Sequence, residues 1–166
     1  MKVARPALLL AITFGAVYWM GRRLPLEHRA VASGRVEASQ DVVWRLVDHP
    51  ATYVAWRTGL IKVSVQPGDE HCWIETSRSM EVTLCVVEEV PKVRKVVRIG
   101  GNEMRFGGTW TYELTPLGPD ATEVTVMENG FVNPPLWRFV GHYVMGEATN
   151  ARQFVADLQA EAVRKR

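Results

Sequence analysis

From Leu60 onward the chain alternates apolar and polar residues in short runs broken by turn residues. LIKVSVQ ends at Pro67-Gly68-Asp69. HCWIETS and MEVTLCVVEEV follow, separated by a tight turn near Arg78-Ser79, then VRKVVRI, TWTYELT and TEVTVMENGFV. Period-two alternation bounded by Pro, Gly, Asn and Asp predicts strands joined by hairpins, hence an antiparallel sheet. Before these runs, Val31 to Ala38 reads as a first strand. Ser39 is placed to cap a short helix, SQDVVWRLVDH, with Val42, Val43, Leu46 and Val47 on one face. Pro50 suits the first turn of a second short helix, PATYVAW. After the last strand, Asn133-Pro134 signals a helix start, and beyond the adjacent Pro135 no proline occurs before Arg164. The pattern predicts one C-terminal helix of about 30 residues, roughly 45 Å if unbroken, weakened at Gly141 and Gly146.

Alternation also assigns faces. In FGGTWTYEL, residues Phe106 to Leu114, the large side chains Trp110, Tyr112 and Leu114 share one face, and Thr109, Thr111 and Glu113 share the other. Val124, Val126 and Glu128 share a face of the final strand. With a two-residue turn at Arg78-Ser79, Trp73 opposes Leu84, Glu75 opposes Val82 and Cys72 opposes Cys85. Trp73, Glu75, Val82 and Leu84 then lie on the concave face and the cysteines on the convex one. Two unpaired, half-buried thiols are the reading adopted for Cys72 and Cys85, with a disulfide as the alternative in an oxidising compartment.

The N-terminus has a different texture. PALLLAITFGAVYWMG carries no charge from Ala7 to Gly21, about 15 residues or roughly 22 Å of helix. Tyr18 and Trp19, followed by Arg22 and Arg23, resemble an interfacial belt. The expectation is an uncleaved single-pass membrane anchor, extended by Val3 and Ala4, with a cleaved signal peptide and a buried soluble helix as rivals. Which side of the membrane the domain would face is left open. Residues 1–22 are thus read as an anchor, 23–30 as a linker and 31–166 as the folded domain.

Charge divides along the same line. Residues 1–35 hold six basic residues and one acid, which leaves fourteen basic against seventeen acidic residues in the remainder. The mildly acidic body argues against nucleic acid as a partner.

The order of one strand, two short helices, six strands and a long helix resembles the helix-grip fold of the SRPBCC, or START-like, superfamily. VEASQDVVWRLVDHPATYVAW, the WIE of strand three, FGGTWTYELTP and TVMENGFVNPPLWRFV match its polyketide cyclase/dehydrase and lipid transport branch in order and spacing. The resemblance covers roughly residues 31–162. It implies an α+β domain in which a curved antiparallel sheet of about seven strands wraps the C-terminal helix, with a cavity between them.

On that expectation, Trp56, Trp73, Trp110, Tyr112, Phe139 and Tyr143 offer contact area to a hydrophobic small molecule or lipid. Trp56 and Tyr53 close the mouth, and the helix stripe turns polar and aromatic around Phe139, Tyr143 and Glu147. Glu75 and Glu128 fall among apolar residues. Each is either satisfied near a strand end by solvent or backbone amides, or serves as a polar anchor for the guest. Arg98, Arg105, His142 and Tyr143 are their candidate partners. No catalytic residue, metal-ligand set or cofactor is assigned: the histidines are scattered, and neither a phosphate loop nor a nucleophile elbow occurs. The reading is a membrane-tethered binding or transport protein. The alternatives are a cyclase or dehydrase using Glu/Tyr acid-base chemistry, and a protein-interaction module with a filled core.

Overall fold

The structure, a computed structural model, describes residues 4–78, 80–100, 105–146 and 148–165. Lys2, Val3, Ser79, Glu147 and the central part of the Gly100–Arg105 loop lie outside the described residues. Helix α1 (Ala4–Arg23) leads into strand β1 (Glu27–Val36). Helix α2 (Gln40–Asp48) and a 3-10 turn (Pro50–Ala55) come next. Strands β2 (Leu60–Gln66), β3 (Asp69–Ser77), β4 (Glu81–Val90), β5 (Arg94–Ile99), β6 (Phe106–Gly118) and β7 (Ala121–Val132) form the meander. The chain ends in α3 (Pro135–Val140), a π turn (Gly141–Met145) and α4 (Thr149–Arg164). The seven strands form one antiparallel sheet in the order β1-β7-β6-β5-β4-β3-β2. Helix α4 packs against β1 and β7, burying Ala151, Phe154, Val155 and Leu158.

The hairpin register is the one that the alternation predicts. Trp73 faces Leu84, Glu75 faces Val82, and Cys72 faces Cys85. The cysteines are joined in a disulfide, with Cα atoms 4.1 Å apart. The expectation of two thiols is therefore overturned: direct opposition on neighbouring strands brings the sulfurs within bonding reach.

Other expectations are corrected as well. Strand β1 begins at Glu27, inside the stretch read as linker, because Leu26 and the following residues continue the pairing with β7; the Val132 amide donates to the Leu26 carbonyl. Ser39 has extended N-cap backbone geometry but makes no side-chain capping bond; its carbonyl accepts from Val42 and Val43 instead. The N-cap of α3 is Pro134 rather than Asn133, whose amide donates to Arg105. The long C-terminal helix is broken. Gly146 takes φ +81, open to glycine at little cost, and its amide reaches back five residues to Gly141, closing the π turn before α4 starts.

No helix among the described residues is long and apolar enough to cross a membrane, so the single-pass anchor is not supported. The physical reason is length: the apolar run gives roughly 22 Å of helix against a hydrocarbon core of about 30 Å. Helix α1 instead packs against α3, and Arg138 Nη1 donates to the Leu24 carbonyl at the junction, 3.1 Å away.

Beneath α2 lies Lys95, 3% exposed. Its ammonium stands 2.6 Å from Asp48 and 3.4 Å from Glu89. Replacing Asp48 with Ala strips the nearer partner from a buried charge. The expected loss is about 3 kcal/mol, the low end for breaking a buried pair because Glu89 remains, read as a shift of the urea midpoint.

Candidate ligand site between the sheet and the broken C-terminal helix

The alternation of β3 and β6 turns Trp73, Trp110, Tyr112 and Leu114 inward, and all four are buried. Trp110 and Tyr112 meet Phe154. Its ring lies 5.9 Å from that of Trp110, 5.1 Å from Tyr112, 5.5 Å from Trp56 and 6.3 Å from Tyr53. These are contact separations for edge-on and tilted aromatic pairs. The volume under α4 is thus filled by rings from the 3-10 turn, β6 and α4 itself. Trp56 and Tyr53 belong to this cluster rather than to a rim; both are buried, and the Tyr53 hydroxyl donates to the Val47 carbonyl at 2.5 Å. Burial is the chief cause that pushes the phenols of Tyr53 and Tyr112 above the ordinary tyrosine range. Both stay protonated at neutral pH and cannot serve there as bases.

Glu75 sits at the edge of the cluster with partners other than those anticipated. Arg57 Nη1 donates to both carboxylate oxygens, at 2.7 and 2.8 Å, and Trp73 Nε1 donates to Oε1 at 3.0 Å. The guanidinium lies 5.2 Å from the ring centres of both Tyr53 and Phe154, within cation–π range. Burial alone would pull Arg57 down. The charge of Glu75, helped by the tyrosines and the hydrogen bond, outweighs it and holds the guanidinium above its ordinary value. Arg57 follows Trp56 directly in sequence, but nothing local in the pattern says that the 3-10 turn delivers it to β3.

Glu128 lies at the other end of the concave face. It opposes Trp110 across β6 and β7. His28 Nε2 is 3.3 Å from Glu128 Oε1, close enough to donate in the tautomer that carries its proton there. Gly130 makes room for this imidazole, since a Cβ there would fall 2.6 Å from His28 Cε1. His28 escaped the sequence reading because it was assigned to a linker. Two polar atoms here are buried and have no hydrogen-bond partner among the described residues: Trp110 Nε1 and Glu128 Oε2.

Overhead, α3 and the π turn contribute no buried residue. Phe139 and Tyr143 stack on each other 5.0 Å apart, but Tyr143 is 55% exposed and does not reach the aromatic cluster. The structure thus gathers Trp56, Trp110 and Tyr112 around Phe154, sets Trp73 and Glu75 in contact with each other beside Arg57, and places Glu128 opposite Trp110. It leaves Phe139 and Tyr143 on α3 and the π turn, away from that cluster.

A seven-stranded antiparallel meander with two short helical elements after β1 and a terminal helix seated on the concave face is shared with solved structures. Zhui aromatase/cyclase from Streptomyces sp. R1128 superposes with TM-score 0.67 at 11% identity, over 84% of this chain and 95% of that one. This is the START-like helix-grip fold. A START superfamily protein from Mycobacterium smegmatis shares it with TM-score 0.62 at 13% identity, over 84% of this chain and 99% of that one. Norcoclaurine synthase from Thalictrum flavum matches with TM-score 0.62 at 16% identity, over 82% of this chain and 87% of that one. No family model and no curated protein matches the sequence. The helix-grip fold hosts a cyclase and a synthase among these neighbours, so it does not itself select an activity.

Proposed function

We propose that this chain binds a small, mostly apolar molecule carrying a hydroxyl, held between the sheet and the α3–π segment. The observation that carries the reading is the orphaned pair, Trp110 Nε1 and Glu128 Oε2. A buried polar atom left without a partner costs about 1–3 kcal/mol, and native structures seldom retain one without reason. One is a donor and the other an acceptor, on opposed residues of the same face. A hydroxyl accepts from the first and donates to the second, so a single guest group satisfies both. Since the volume under α4 is occupied, the guest enters by displacing α3 and the π turn. That segment buries little and is the low-stability end of the fold.

The same reading brings α1 to a lipid surface. Leu9, Leu10, Ile12 and Phe14 are exposed on it, and Trp19 lies under Arg23 at 4.6 Å, an arrangement suited to the headgroup boundary. An enzyme is the second reading, favoured by the contact of His28 with Glu128, which is suited to moving a proton.

The test is a titration, followed by tryptophan fluorescence, with a medium-chain fatty alcohol and the alkane of equal length. The alcohol is expected to bind more tightly, and Trp110→Phe and Glu128→Gln each to weaken it about tenfold. Equal affinity for alcohol and alkane, or indifference to both substitutions, sinks the proposal. No binding of either compound favours an interaction module with a filled core.

A further inference from the structure

The convex face carries a second constellation, independent of the site above. Asp69, Cys72 and Cys85 bring one carboxylate oxygen and two sulfurs within 4.8 Å of one another. Their placement follows from the turn: Gly68, with φ +82, reverses the chain so that Asp69 opens β3. Cys72 lies three residues on and opposes Cys85 across β3 and β4. Asp69 Oδ2 approaches Cys72 Sγ to 3.2 Å. In the disulfide that sulfur has no hydrogen to offer, so the carboxylate faces it without a hydrogen bond. Asp69 Oδ1 accepts from the His71 amide at 3.0 Å, which fixes the carboxylate. A further oxygen stands unused. Gln66 is the register partner of Asp69, and its Oε1 is buried with no hydrogen-bond partner among the described residues.

We propose that the reduced form of this hairpin is a binding site for a thiophilic divalent cation of the Zn2+ type. Cys72 and Cys85 supply thiolates and Asp69 a carboxylate; the Gln66 amide oxygen or a water completes a tetrahedral set. Sulfur with one or two oxygens in tetrahedral array suits zinc rather than the hard cations, which take all-oxygen shells. The charge balance agrees. Two thiolates and a carboxylate give −3, and Arg98, the register partner of Cys85, offsets one unit and leaves the −2 that a divalent ion matches. The disulfide and the metal are mutually exclusive occupants of the same two sulfurs. A small-molecule dithiol supplies two electrons and two protons to open the Cys72–Cys85 bond and leaves as its own disulfide. Metal ligation then releases the two thiol protons as the sulfurs bind. Either closure ties β3 to β4 across the same turn, so the hairpin is held in both redox states.

Full-length protein, reduced with a phosphine and desalted without oxygen, is titrated with Co2+ as a spectroscopic stand-in. The expected result is one equivalent bound, with a near-ultraviolet thiolate-to-cobalt band and visible bands of tetrahedral intensity, both displaced by Zn2+. The oxidised protein shows neither. Asp69→Asn keeps both cysteines and isolates the ligand from the fold; it is expected to weaken Co2+ at least tenfold, by comparison with the 10–100-fold cost of losing outer-shell support. If reduction loosens the fold, recovery of the circular dichroism on adding metal supports the site, and failure to recover overturns it. Reduced, folded protein without the thiolate band, equal binding by the oxidised form, or an Asp69→Asn variant of unchanged affinity likewise overturns it.

Discussion

Replacing Phe154 with Ala is expected to destabilise the domain by about 4 kcal/mol, within the range for emptying a large buried aromatic site. The ring is 2% exposed and contacts Tyr53, Trp56, Trp110 and Tyr112 together. It also carries one face of the Arg57 guanidinium. Deleting it removes the transfer energy of the ring and leaves a space that four rigid neighbours cannot close. Equilibrium urea unfolding of the variant measures the loss. A change below about 1 kcal/mol would mean that α4 is not seated on the concave face as described. The vacated volume is apolar and the right sort of space to admit a small aromatic guest, which stabilises the variant alone if it binds.

Removing Arg57 produces a loss of similar size by a different mechanism. Arg57→Ala leaves Glu75 half-enclosed, with only the Trp73 indole donating to it. Pair members at 18% and 12% side-chain exposure are far enough from solvent for the penalty of a stranded charge to apply, about 3–5 kcal/mol. The double variant Arg57→Ala, Glu75→Leu removes the stranded charge too and is expected to regain a large part of that loss. Chemical denaturation of the two single variants and the double variant gives the coupling. If the double variant is as unstable as the sum of the singles, the pair is not acting as a unit and the packing of Arg57 against the rings dominates instead.

Much of the architecture was legible because it is written in local periodicity. The inward set Trp73, Trp110, Tyr112 and Leu114 and the register that opposes Cys72 to Cys85 follow from counting by two. What local pattern cannot report is distance across the sheet. Arg98, Arg105, His142 and Tyr143 were the candidate partners of Glu75 and Glu128, yet the partner of Glu75, Arg57, arrives just after the 3-10 turn before β2. The group beside Glu128 is His28, at the start of the far edge strand. Likewise, Phe154 read correctly as helix core, but nothing in its spacing tells whether a core residue stops at the wall of a hollow or fills it. The break at Gly146 was signalled as weakness and became a full stop, because positive φ there ends the helix outright. For the apolar N-terminus, composition alone suggested a span that length does not support.

The contact of α1 with α3, tied by Arg138 to the Leu24 carbonyl, has a mechanical consequence. Helix α1 cannot swing about its base without dragging α3, and α3 cannot lift without tilting α1. Grip one end of this lever and the other moves with it.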